Sequence, residues 1–174
     1  MNKHIMLDLE TLGVGPNACI VAIGAVGFTI PHTNYIKFYT AVSPNNGIID
    51  GETVMWWLTQ NDAARAALQD GIPPLEALKR FDAWVKEFGA PSEVRMWGNG
   101  TDFDNVILRS AFTNYGLVAP WTGRNNRCFR TVKAIAKAMG MVKPERTGTH
   151  HNALDDAVYQ ADALLEFARW VPID

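Results

Sequence analysis

Between residues 4 and 42 three apolar runs rich in β-branched and aromatic residues, HIMLDLE, CIVAIGAVGFTI and YIKFYTAV, follow one another. They are separated by short stretches containing GVGPN and PHTN, whose Gly, Pro and Asn are turn formers. The short second connection predicts an antiparallel meander, which excludes a purely parallel βαβ start.

From residue 51 the period changes. GETVMWWLTQ, NDAARAALQD and PPLEALKRFDAWVKEF have helical spacing, with starts at Asn61 and at Pro73-Pro74. Leu75, Leu78, Phe81, Val85 and Phe88 predict one apolar helix face. A fourth strand, EVRMWGN, leads into a helix from Phe103 to Tyr115 that Gly116 can end, and RCF at 127–129 predicts a short fifth strand. TVKAIAKAMG predicts a helix ending at Gly140. After His151 a last helix buries Leu154, Ala157, Val158, Ala161, Leu164, Leu165 and Ala168. The order implies one α/β domain, 1–174, with a mixed sheet and no repeat or linker.

The 174 residues, 48% hydrophobic, suffice for one core. The longest apolar run, ACIVAIGAVGFTI, is shorter than the roughly 18 residues a membrane helix needs. The N-terminus lacks a secretory pattern, so the expected location is cytoplasmic, without a membrane. Cys19 and Cys128 lack CxxC spacing, which excludes a thiolate zinc site and predicts two buried thiols. A net charge of −2 speaks against nonspecific coating of nucleic acid. Seven of the sixteen basic residues nevertheless fall between Arg124 and Arg146, as a solvated helix face or a track for a phosphate backbone.

Most of the eighteen acids, among them Asp62, Glu76, Asp82, Glu87 and Glu166, fall on faces expected to be exposed. Four do not. Asp8 and Glu10 share one face of the first strand, because residues i and i+2 point the same way. Two like charges entering an apolar setting need a cation or a proton. Asp104 stands where the helix after the fourth strand begins, and Asp156 in the first turn of the last helix, whose dipole favours an ionised acid. If the first and fourth strands are neighbours, the four carboxyl groups meet at one rim of the sheet. Oxygen donors without thiolate select Mg²⁺ or Mn²⁺.

These residues resemble the DnaQ-like, or DEDD, superfamily of 3′-5′ exonucleases in its histidine subtype. DLET matches the Asp-x-Glu-Thr motif, Asp104 in GNGTDFDN the second motif, and His151 to Asp156 in HNALDD the His-x4-Asp motif. CIVAIGAVGF, MWWL and GNGTDFDN look most like the phage and bacterial exonucleases related to ribonuclease T. Asn99 to Asp104 is one residue longer than the usual spacing, and Asp104 is preferred to Asp102 because Phe103 directly precedes it.

The resemblance implies an RNase H-like fold with a mixed five-stranded sheet flanked by helices. It implies hydrolysis of single-stranded nucleic acid from a free 3′ end to 5′-mononucleotides, with two divalent cations, Mg²⁺ or Mn²⁺. Asp8, Glu10, Asp104 and Asp156 would be ligands and His151 the general base, His150 being the competing imidazole. Trp56 or Trp57 would offer a base platform, since adjacent helical residues point about 100° apart. Thr11, Leu12 and Gly13 would cradle the terminal sugar, and Arg130 would contact phosphate. DNA is slightly favoured over RNA by analogy with the phage members, and a homodimer is expected because related exonucleases pair. A haloacid dehalogenase-like phosphatase has Asp-x-Asp where this chain has Glu10, and parallel βαβ order where it has a meander. A noncatalytic binding module would carry four acids that repel phosphate.

Overall fold

A computed structural model of the chain describes residues 3–173; Met1, Asn2 and Asp174, which the expected domain span includes, lie outside the described residues. Strands β1 (Lys3–Thr11), β2 (Ile20–Thr29) and β3 (His32–Ala41) form the antiparallel meander. Helices α1 (Gly51–Leu58), α2 (Asp62–Ala66) and α3 (Pro74–Phe88) follow. Asp50 caps α1 by accepting from the backbone N–H of Glu52 and Thr53, Asn61 caps α2, and Pro74 occupies the first turn of α3. Then come β4 (Val94–Gly98), α4 (Asp104–Asn114), β5 (Asn126–Cys128), α5 (Phe129–Ala138) and α6 (Ala153–Ala168). The five-stranded mixed sheet has the order β3-β2-β1-β4-β5, with β4 parallel to β1 and β5 parallel to β4.

Strand β1 is the centre of the sheet and alternates across it. Ile5, Leu7 and Leu9 join Leu78, Phe81 and Val85 of α3 and Ile107, Leu108 and Phe112 of α4 in one core. On the opposite face Met6 joins Phe129 of α5 and Ala157, Ala161 and Leu164 of α6 in the second. The even positions, Asp8 and Glu10 included, therefore face the α5–α6 layer.

Four details differ from the sequence reading. Leu75 is exposed while Ala77 packs, because α3 turns Pro74 and Ala77 inward. Leu154, Val158 and Ala168 are only half-buried, and the inward face of α6 is carried by Ala153, Ala157, Gln160, Ala161, Ala163, Leu164, Leu165 and Phe167. Asp82 and Glu166 are half-buried rather than exposed: Lys86 Nζ donates to Asp82 Oδ2 at 2.7 Å, while Asp82 Oδ1 is buried without a hydrogen-bond partner among the described residues. Cys19 is buried, whereas Cys128, at the end of the short edge strand, is partly exposed. Among the described residues no helix is long and apolar enough to cross a membrane.

One close approach positions the start of α6. Gly24 is the cross-strand partner of Asp8, so a side chain there would rise on the same face. The backbone of Ala153 fills that space: a Cβ on Gly24 would lie 2.1 Å from Ala153 C and 2.3 Å from Leu154 N. Gly24→Ala must therefore push the first turn of α6 off the sheet, whereas Gly15, with nothing within 4 Å, accepts alanine freely. Urea unfolding should show Gly24→Ala destabilised by about 3 kcal/mol and Gly15→Ala unchanged. Equal stability of Gly24→Ala and the parent chain would refute this account of helix placement.

Candidate active site

The site forms where β1 outruns β4. The parallel ladder couples Lys3–Met6 to Val94–Trp97 and stops, leaving a crevice at the carboxyl ends of the strands. There the backbone N–H of Leu9 donates to Asp104 Oδ1 at 3.1 Å. Asp104 is 4% exposed at the first residue of α4, whereas Asp102 is exposed. On the other side of β1, the register with β2 shifts between Glu10 and Thr11, which pair with Ala22 and Ile20, at the end of the site.

Three carboxylates converge. Ligand oxygens of Asp8, Glu10 and Asp156 all lie within 4.8 Å of one another. Glu10 is buried and its Oε1 has no hydrogen-bond partner. Gln160, one turn beyond Asp156 on α6, donates from Nε2 to Asp8 Oδ1 at 2.8 Å, and its own Oε1 is buried without a partner. Burial, then the charges of Asp104 and Glu10, push the Asp8 carboxyl well above the usual carboxylate range. Burial, then Asp104, raises Glu10 to about 8 against the opposing pull of Arg146. Burial raises Asp104 to about 7, against hydrogen bonds from the backbone N–H groups of Leu9, Asn99 and Asp104 itself. A cluster of buried, mutually repelling, incompletely bonded carboxylates fits hard divalent cations, with Asp8, Glu10 and Asp156 as the closest donors and Asp104 beside them.

The approach to α6 is stitched to these acids. Asn152 caps the helix through the backbone N–H of Leu154 and Asp155. Asp155 Oδ2 accepts from Thr149 N at 2.7 Å, and Asp156 Oδ2 from His151 N at 3.2 Å. These bonds hold His151 at a φ of 61°, a conformation that costs a non-glycine residue of order 1 kcal/mol or more. Its ring meets Trp56 edge-on at 4.8 Å between centroids. Burial, then His150 and Arg146, lower the His151 pKa below its ordinary value, so the imidazole is neutral near pH 7. His150 lines the same cleft but is exposed.

Two clefts flank the acids. The first, about 620 Å³, is lined by Asp8, Glu10, Asp104, Asp156 and both histidines, and also by Arg130, Lys133, Lys143 and Arg146. The second, about 580 Å³, has Leu9, Trp56 and Phe103 in its wall and Asp50 and Glu52 at its rim, with no lysine or arginine among its lining residues. Of the adjacent tryptophans, Trp57 is buried and donates from Nε1 to Thr11 O at 2.9 Å, whereas Trp56 is 43% exposed. Gly13 lines the second cleft where Ile48 O would sit 2.8 Å from an added Cβ, and Thr11 Oγ1 donates to Gly13 O at 2.7 Å. Leu12 lines neither cleft; its N–H bonds Cys19 O, and its carbonyl accepts from Asp50 N. Arg130 Nη2 donates to Asn99 O at 2.7 Å on the wall of the first cleft.

Sequence reasoning gave no site role to Gln160, and placed Arg146 only within the basic segment read as a solvated face or a phosphate track. The i+4 spacing from Asp156 could have pointed to Gln160. Arg146 ion-pairs with Asp156 from the connection 139–152, and nothing in its spacing forecasts that contact.

A family model for the 3′-5′ exoribonuclease Rv2179c-like domain matches residues 3–168. Among solved structures, the nuclease domain of 3′hExo, a DEDDh family member bound to rAMP, aligns with a TM-score of 0.67 and 16% identity, over 97% of this chain and 92% of that one. The Mg²⁺- and Mn²⁺-bound form of S. pombe Pop2p aligns with a TM-score of 0.67 and 14% identity, over 96% and 83%. These likenesses show the RNase H-like nuclease fold. The search of curated proteins gives no match.

The raised carboxyl groups make a stability prediction for the metal-free protein. A carboxyl whose folded pKa exceeds its unfolded value contributes stability below the unfolded pKa and loses it as pH rises through the folded one. In chelator the melting temperature should fall between about pH 5 and about pH 8, spanning the values near 7 and 8 of Asp104 and Glu10. Saturating Mn²⁺ should abolish the fall, because it stabilises the ionised cluster. Scanning calorimetry that finds the same pH profile with and without Mn²⁺ would contradict it.

Proposed function

We propose that this chain, which belongs to the 3′-5′ exoribonuclease Rv2179c-like domain family and is a metal-dependent 3′-5′ exonuclease, holds two divalent cations with Asp8, Glu10, Asp104 and Asp156 and uses His151 as general base. The convergence of Asp8, Glu10 and Asp156 within 4.8 Å carries this reading. Bound there, Mg²⁺ or Mn²⁺ supplies Lewis-acid stabilisation of charge on the phosphate and lowers the pKa of the attacking water. The neutral His151 imidazole takes that water's proton through a ring nitrogen. Gln160 orients Asp8 through its bond to Oδ1, and Trp57 fixes the Thr11 carbonyl.

The two clefts give the strand a direction. The second, apolar-walled and acid-rimmed, suits an uncharged terminal nucleoside, stacked on Trp56 and bounded by Thr11 and Gly13. The basic wall of the first cleft, Arg130, Lys133 and Lys143, suits the phosphates of the preceding nucleotides. The substrate is thus a single strand with a free 3′-hydroxyl, cut to 5′-mononucleotides. For the sugar, the family's description as an exoribonuclease supports RNA ahead of the DNA favoured from sequence alone. The free thiols of Cys19 and Cys128 support a cytoplasmic setting. A homodimer is also part of this reading, supported by the exposed apolar cluster of Met139, Val142 and Trp170.

The decisive assay uses 5′-labelled single-stranded RNA and DNA of equal sequence with Mn²⁺, Mg²⁺ or chelator. A ladder shortening from the 3′ end, faster on RNA, should vanish with chelator and drop at least about 100-fold in Asp156→Ala. A 3′-phosphorylated end, forced against Glu10, Asp50 and Glu52, should be cut at least about tenfold more slowly. Chelator-resistant cleavage would overturn the mechanism, and equal rates on phosphorylated ends the cleft assignment. Sedimentation equilibrium at micromolar concentration should give twice the monomer mass; a monomer throughout would remove the dimer from the reading.

A further inference from the structure

Arg146 is an unusual neighbour for a metal-ligating cluster. Its guanidinium ion-pairs with Asp156 and lies over the Tyr159 ring at 5.0 Å, with the arginine side chain 23% and the aspartate side chain 13% exposed. Among the described residues its buried Nε and Nη2 have no hydrogen-bond partner, Nη2 meeting Asp156 Oδ1 as an ion pair alone. Its charge also reaches Asp8 and Glu10, opposing their upward shifts, and His151, which it depresses. It hangs from the connection 139–152, which also carries Lys143 to the basic wall of the first cleft.

A single guanidinium cannot balance four carboxylates, yet it is paired with Asp156, one of the three carboxylates that converge within 4.8 Å. A divalent cation taking that carboxylate competes with the guanidinium for it, because the two positive charges repel at close range in a partly desolvated site. The freed group remains tethered beside the cleft that receives the backbone. Its planar fork matches two phosphate oxygens as well as it matches a carboxylate, and its unpaired Nε gives it a donor to spare.

We propose that Arg146 is an internal counter-ion of the metal-free cluster that passes from Asp156 to a substrate phosphate once divalent cations hold the carboxylates. The proposal rests on the exonuclease reading above and adds to it a residue that couples metal loading to phosphate binding. Arg146 thereby competes with metal in the free protein and supports phosphate in the loaded one. The two effects have opposite signs in one variant, which a merely structural arginine would not produce.

The test needs no turnover. Mn²⁺ is titrated into parent, Arg146→Gln and Arg146→Lys proteins by calorimetry, with free Mn²⁺ followed by electron paramagnetic resonance. AMP is then titrated into each Mn²⁺-saturated protein, and circular dichroism checks folding. Arg146→Gln should bind Mn²⁺ about tenfold more tightly and AMP about tenfold more weakly. Arg146→Lys, which keeps the charge but not the fork, should bind Mn²⁺ as the parent does and AMP more weakly. Unchanged Mn²⁺ affinity in a folded Arg146→Gln overturns the counter-ion role, and unchanged AMP affinity overturns the phosphate role. A parent protein that binds no Mn²⁺ at all would instead overturn the exonuclease reading on which both stand.

Discussion

The contact between the backbone of Gly24 and the first turn of α6 governs the rest of the structure. Asp8 and Glu10 are fixed by strand geometry, but on their own they are only two acids on the face of a sheet. Because β2 presents no side chain beside Asp8, Ala153 and Leu154 settle directly onto the strand, and Asp156 and Gln160 then reach Asp8 from one helix face. The same placement buries Ala157, Ala161 and Leu164 against Met6 and Val26. Apolar packing of α6 thus forces like charges together, and the stability of the core offsets their repulsion.

That repulsion is what equips the site. Burial, joined for Asp8 and Glu10 by the charges of neighbouring acids, holds the carboxyl groups of Asp8, Glu10 and Asp104 above their ordinary range, so the ionised cluster is stable only beside positive charge. Asp104 differs from the other three in being anchored to the backbone of Leu9, which the early end of the β1–β4 ladder leaves free. Asp156 is anchored as well, through His151 N, so that one carboxylate both joins the acids and sets the imidazole beside them. A residue at positive φ, the Asn152 cap and two bonds from backbone N–H groups to Asp155 and Asp156 serve a stretch that contributes little to either core.

Much of this was legible along the chain. The meander, the switch to helical period after residue 50, and the helix starts at Asn61 and Pro73-Pro74 are local signals, set by turn chemistry and periodicity within a few residues. The shared face of Asp8 and Glu10 follows from strand alternation alone. Boundaries and burial were less legible. Leu75 fits the helical period as well as Ala77 does, and only the direction from which the sheet approaches α3 selects between them. Likewise, adjacency of Trp56 and Trp57 implies that they diverge, but which one is buried depends on the Thr11 carbonyl lying within reach of Trp57 Nε1.

The sequence by itself determined the class of fold, the order of its elements and the chemical kind of the acids, because these depend on local periodicity and residue type. Tertiary structure decided which groups meet. It put Asp104 rather than Asp102 beside Leu9, brought Gln160 onto Asp8, and carried Arg146 to Asp156 from a connection without periodicity. Such meetings join residues as far as 152 positions apart in the chain. They are fixed by how the layers pack and where backbones can touch, and no window of sequence contains that information.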